Sequence, residues 1–208
     1  MKVPTYTIQS VWCMALTFAA SSGADGMQPG PSASVGGESP AGFSTTHTGD
    51  IHDFEYLIGA WTTQQKRLKA RGVGSSDWIE APANQHCAVS YLGGLDIVED
   101  SWSPAKTPSG LFLYTFNPGK QQWAIRWVNP KTGEPDPPSV GGFAGMRGEF
   151  YGEDVDNGRP IKVRIIWTKL DRDHARWEQA FSYDNRTWET NWITDFTRGN
   201  PAVICPRS

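Results

Sequence analysis

The chain has little of what most catalytic and metal-binding signatures are made from. It holds four histidines and three cysteines in 208 residues. His47, His52, His86 and His174 are not spaced to share a metal ion. No Cys-x-x-Cys, His-Glu-x-x-His, Gly-x-Ser-x-Gly elbow or phosphate-binding P-loop occurs, which argues against the common zinc, thiol-redox, hydrolase and nucleotide-binding designs. A single axial haem ligand from His86 or His174 is conceivable in a barrel, but a lone histidine is far more often structural, so neither metal nor cofactor is expected. Charge of one sign is scarce too. The net charge is −3 at pH 7. The one basic run, Lys66 to Arg71, reads as a solvated strand edge, so nucleic acid is a poor partner. No segment beyond the first twenty residues is apolar enough to cross a membrane.

What is present divides the chain into four parts. Lys2, the apolar run Val11–Ala20 and the small residues after it form a secretory leader over 1–24, with export as its consequence. Residues 25–49 are rich in Gly, Ser, Pro, Ala and Thr. They cannot bury enough apolar surface to offset their ordering entropy, so they read as a flexible tether. A domain follows over 50–198, long enough for a sizeable core, and 199–208 form a tail. Losing Cys13 with the leader leaves Cys87 and Cys205. In an exported protein that even count permits one disulfide, and the sequence leaves the pairing open.

Helix signals nearly vanish after Gly59. Asp50–Ile58 reads as one or two turns, capped by Asp50, with Phe54, Leu57 and Ile58 on one face. The expected strands are 61–69, 77–91, 95–102, 110–116, 122–129, 142–152, 161–169, 175–183 and 188–198. Tight connections such as Asp156-Asn-Gly-Arg159 separate them. Such spacing predicts an all-β fold, a single antiparallel barrel of about 8–10 strands with a short N-terminal helix. Ile161, Val163, Ile165 and Trp167 alternate with Lys162, Arg164 and Thr168, so one face of that strand is buried. Gly110–Phe116 is apolar on both faces. It needs a second cover, from the first helix or from a partner subunit such as a second copy in a homodimer.

The order of short helix, Gly59-Ala-Trp61, meander and late Arg198 resembles the calycin barrels, which include lipocalins and fatty-acid-binding proteins. That resemblance implies that Trp61 plugs the barrel floor and that Arg198 packs across its ring by a cation–π contact. The stretches "DFEYLIGAWTTQQKRLKAR", "NPKTGEPDPPSVGGF", "FYGEDVDNGRPIKVR" and "RWEQAFSYDNRTWETNWITDFTR" are similar to an exported bacterial family of unknown function, domain-of-unknown-function family 1579 or a near relative. The likeness runs from Asp53 to Arg198 and implies a calycin-like fold but no reaction.

Tryptophan is the strongest compositional signal, with ten in the chain. Indoles in a barrel either fill it or line a cavity, and a cavity with a few placed polar groups is the usual form of a ligand site. The expected ligand-binding set is Trp127, Arg164, Trp167, Trp177, Gln179, Asn191 and Trp192, and the expected partner is a small apolar or aromatic molecule. The alternative is an isomerase- or cyclase-type enzyme using acid/base chemistry in the same cavity. Its catalytic candidates are Glu178 and His86, with Arg164 orienting Glu178. Glu99 and Asp100 are further carboxylates on a strand. An outward Arg164–Glu178 ion pair is the commoner arrangement for such neighbours. A third reading is a ligand-free interaction module that docks a partner on Gly110–Phe116.

Overall fold

The computed structural model of the chain describes residues 39–205. The expected leader, most of the tether and the last three residues of the tail lie outside them. The described chain is built almost wholly of strands: β1 (Gly59–Leu68), β2 (Trp78–Ala81), β3 (Gln85–Tyr91), β4 (Asp96–Trp102), β5 (Pro108–Asn117), β6 (Gln122–Val128), β7 (Ser139–Ala144), β8 (Arg147–Asp156), β9 (Arg159–Lys169), β10 (His174–Ser182) and β11 (Glu189–Arg198). Each of β3 to β11 pairs antiparallel with the next, and β11 returns to pair with β1 over Trp61↔Arg198 to Arg67↔Trp192. With β3 on the other edge of β1, ten strands close into a barrel. Closure removes the exposed edges that an open sheet would present.

The eleventh strand, β2, shares that edge of β1. β3 holds Gly59 to Thr62, and β2 holds Gln65 to Leu68. Two of the nine expected strands are therefore split. The run 77–91 breaks at Pro82-Ala83-Asn84, where proline cannot donate to a ladder. The run 142–152 is a hairpin, because Gly145, with φ of 64°, and Met146 turn the chain between β7 and β8. The Asn157-Gly158 connection has φ of 50° and 79°, the left-handed pair that a tight hairpin requires.

Alternation places one face of every wall strand toward the interior. Trp123 and Ile125, Ile165 and Trp167, and Trp177 and Phe181 join one buried cluster with Trp61, Tyr114, Phe150 and Phe196. The barrel end at which β1 begins is filled by the segment that precedes it. Residues 51–54 turn and Glu55–Leu57 form a single 3-10 turn, the short end of the one or two turns expected. Phe54 and Leu57 are fully buried, whereas Ile58 is 39% exposed and leaves the face assigned to it. The Phe54 ring packs 4.8 Å from that of Tyr114 and 5.1 Å from those of Trp123 and Phe143.

This turn therefore covers β5 from the inside. On the outer side, Leu111 borders a groove shared with Val203 and Ile204. Those two belong to the short helix α1 (Pro201–Ile204), which Asn200 caps through Ala202 N–H. Cys205, just beyond, is bonded to Cys87 of β3. Farther along the outer face, Val89, Val98 and Leu113 form a cross-strand apolar row, with Val89 43% exposed.

Residues 39–49, read from sequence as the end of the tether, lie along the outside of the barrel. Gln122 donates to the Thr45 and His47 carbonyls, Trp188 donates to the Ala41 carbonyl, and Phe43 meets Tyr151 edge-on. Gly142 makes this possible, because a Cβ there would collide with the Thr48 carbonyl.

Candidate functional site: the barrel lumen

The interior is not filled by its own side chains. A cavity of about 470 Å³ occupies the end of the barrel away from the Phe54 plug. Its walls are apolar: Ile125, Ile161, Val163, Ile165, Trp177 and Phe181 all reach it, and Gln179 adds a polar group. Its rim mixes charges from Arg67, Arg71, Asp136, Asp154 and Asp156. Arg71, in the β1–β2 connection, pairs with Asp156 at the end of β8 at 2.6 Å. Tyr183 donates to the other Asp156 oxygen at 2.7 Å. These contacts tie a loop to the wall at the rim.

Below this cavity lies a smaller recess of about 50 Å³. Phe112, Trp127, Trp177 and Trp192 border both spaces and form an aromatic collar between them. Trp177 and Trp192 meet edge to face at 5.6 Å, as their quadrupoles favour. The Trp192 indole N–H donates to Gln65 Oε1, and the Arg67 guanidinium lies 4.8 Å over the Trp192 ring.

The recess holds a buried polar cluster drawn from three successive strands. His86 is 4% exposed, Glu99 0% and Tyr114 1%. His86 Nδ1 lies 2.7 Å from Glu99 Oε1, and the Tyr114 hydroxyl donates to Glu99 Oε2 at 2.5 Å. Both carboxylate oxygens thus have partners, which a buried carboxyl group needs. Burial, followed by the Glu99 charge, pushes the Tyr114 phenol well above its ordinary value, so it stays a donor at neutral pH. Nearby, the Trp167 indole N–H and the Tyr56 hydroxyl are buried with no hydrogen-bond partner among the described residues. An aromatic cavity that ends in hydrogen-bonding groups can hold an apolar molecule by its body and orient it by its polar end.

The floor is closed independently. The Arg198 guanidinium sits 3.6 Å from the centroid of the fully buried Trp61 ring. It donates to the Tyr56 carbonyl at 2.7 Å and the Ile58 carbonyl at 3.0 Å. The Trp61 N–H donates to the Leu57 carbonyl at 2.7 Å. The plug, the first strand and the last strand are thereby joined.

Of the residues singled out from sequence, Trp127, Trp167, Trp177, Gln179 and Trp192 border the lumen. His86 does too. Arg164 and Glu178 do not meet it. Each has the opposite parity from lumen neighbours, Val163 and Ile165 for Arg164, and Trp177 and Gln179 for Glu178. Arg164 instead lies 4.8 Å over the Trp188 ring on the outer face, where burial lowers its pKa. Asn191 sits at the bulge opposite Gln179 and Ala180, buried, with its Oδ1 unpartnered among the described residues. His174 is exposed at the start of β10 and bonded to Asp171. Sequence reasoning missed the roles of Glu99, Tyr114 and Gln65. Glu99 shares its parity with Ile97 and Ser101, but Val98 and Trp102 make the opposite parity of that strand equally apolar, so the sequence carried no clear signal.

Among the described residues no group of three or more His, Cys, Asp and Glu is arranged to hold a metal ion, and no helix is long and apolar enough to cross a membrane. No protein-family model matches the chain, and no curated protein matches it. Among solved structures the chain is similar to a protein of unknown function from the DUF3598 family of Nostoc punctiforme. The identity is 10% and the TM-score 0.40, over 76% of this chain and 53% of that one. The chain therefore spans about half the length of that neighbour.

Proposed function

We propose that the protein is an exported binder that takes a small, largely apolar or aromatic molecule into its lumen. The observation that carries this reading is the open cavity of about 470 Å³ between an aromatic collar and a charged rim. A space of that size is within the range of small-molecule sites. The motifs between Asp53 and Arg198 support membership of the exported family of unknown function that they resemble. The Cys87–Cys205 bond fits an oxidising compartment.

The His86–Glu99 pair favours a second reading, acid/base chemistry on the bound molecule. A carboxylate that fixes one imidazole nitrogen leaves the other to exchange protons. Titration with the neutral fluorophore 1-aminoanthracene, followed by product analysis, separates the two. Saturable binding without turnover supports the binder, turnover that depends on His86 supports the enzyme, and no binding refutes both.

A further inference from the structure

We propose that the recess below the aromatic collar recognises a neutral hydroxyl group on an aromatic ring, so that the ligand belongs to the phenol class. The proposal rests on the reading of the lumen as a ligand site and assigns the chemistry of its inner end. Glu99 has no exposed surface, and its two oxygens are taken by His86 Nδ1 and the Tyr114 hydroxyl. In the neutral tautomer that donates Nδ1–H to the carboxylate, His86 Nε2 is a hydrogen-bond acceptor. His86 borders the recess, and its Nε2 has no well-placed donor among the described residues. Its neighbour, Thr63 Oγ1, is 3.5 Å away, the limit of a hydrogen bond, and has the Asn84 carbonyl at 3.3 Å to donate to instead. A buried acceptor in that state favours a ligand that brings a donor.

The recess also selects against charge. Its lining contains no Lys or Arg, so beside the Glu99 carboxyl group an anionic group would meet no permanent cation, His86 being neutral in that tautomer. Its roughly 50 Å³ suits a group the size of a hydroxyl or one water, not a carboxylate with its hydration. A phenolic oxygen can donate to His86 Nε2 while its ring lies between Phe112, Trp127, Trp177 and Trp192. Trp167 also borders the recess, and its indole N–H, unpartnered among the described residues, can serve an oxygen lone pair.

Isothermal titration of the full chain with 1-naphthol, naphthalene and 1-methoxynaphthalene tests this. The hydroxyl compound should bind about ten-fold more tightly than either of the other two, the worth of one hydrogen bond to a buried group. His86→Asn keeps an amide N–H toward Glu99 but has no counterpart of Nε2. In this variant the preference for 1-naphthol should shrink to within about two-fold. Equal binding of all three compounds by the wild type would overturn the phenol assignment and leave the lumen reading standing, whether or not the variant folds. A preference that survives in a folded His86→Asn protein would overturn the role of His86. Binding of none of the three would remove the lumen reading and the proposal together.

Discussion

Replacing Trp61 with alanine should cost the protein roughly 3–5 kcal/mol of stability, the range for truncating a large core aromatic. The site supports the upper half of that range. The ring is fully buried. Its N–H bond to the Leu57 carbonyl would be lost, leaving that acceptor unpaired. The Arg198 guanidinium, 3.6 Å from its centroid, would face a void in place of the π-surface. Trp61→Phe should lie between, at about 1.5–3 kcal/mol, because it keeps apolar bulk and loses the donor. Lys66→Ala, at an exposed position of the same strand, should stay within about 0.5 kcal/mol of wild type. Urea unfolding followed by far-ultraviolet circular dichroism avoids the change in tryptophan emission. A loss below about 1.5 kcal/mol for Trp61→Ala would mean that the floor is not held by this residue, and the reasoning would fail.

Three further outcomes follow from the geometry. Cys87→Ala with Cys205→Ala opens a cross-link between residues 118 apart in sequence, and chain entropy puts its removal at up to about 5 kcal/mol; an unchanged unfolding midpoint would count against a native bond. Glu178→Gln, on the outer face, should cost less than about 1 kcal/mol and leave 1-aminoanthracene affinity as in the wild type, so a marked loss of binding would mean that this carboxylate faces the lumen. Burial first, and then the Glu149 carboxylate that accepts its hydrogen bond, raises the Tyr151 phenol to about 12. The unfolded chain ionises this group near pH 10 while the folded one keeps its proton, so its contribution is intact below about pH 10 and is lost as pH rises to about 12. Tyr151→Phe should make the melting temperature fall less steeply across that interval, and an identical slope would refute the assignment.

Much of the barrel is readable in the strand periodicity. Ile161, Val163, Ile165 and Trp167 share a face in the sequence and form one buried row in the fold, because a side-chain period of two survives any arrangement of neighbours. The order of Gly59-Ala-Trp61 before the meander and Arg198 after it likewise marks the two strands that close the ring. The hairpin at Gly145-Met146 is harder to read, since β-prone residues flank it on both sides.

The polar cluster is harder still, because it depends on register. His86 lies opposite Ser101, which puts Glu99 one inward step away on β4, and Tyr114 is diagonal to Glu99 on β5. A slip of one residue in either pairing would turn Glu99 outward, and local sequence does not fix that choice. Arg164 and Glu178 show the converse. Their alternation with Val163 and Trp177 is legible, but which parity faces inward is decided by closure of the barrel around the larger apolar set.

The central claim, that the lumen is a ligand site, is tested most directly by blocking it. Val163 is buried and borders the cavity, whereas Leu113 lies on the outer face of β5. 1-Aminoanthracene should brighten saturably with the wild type and with Leu113→Trp. It should show at least a ten-fold weaker response with Val163→Trp, whose indole would occupy the cavity. Equal binding by both variants, or none by the wild type, would contradict the account.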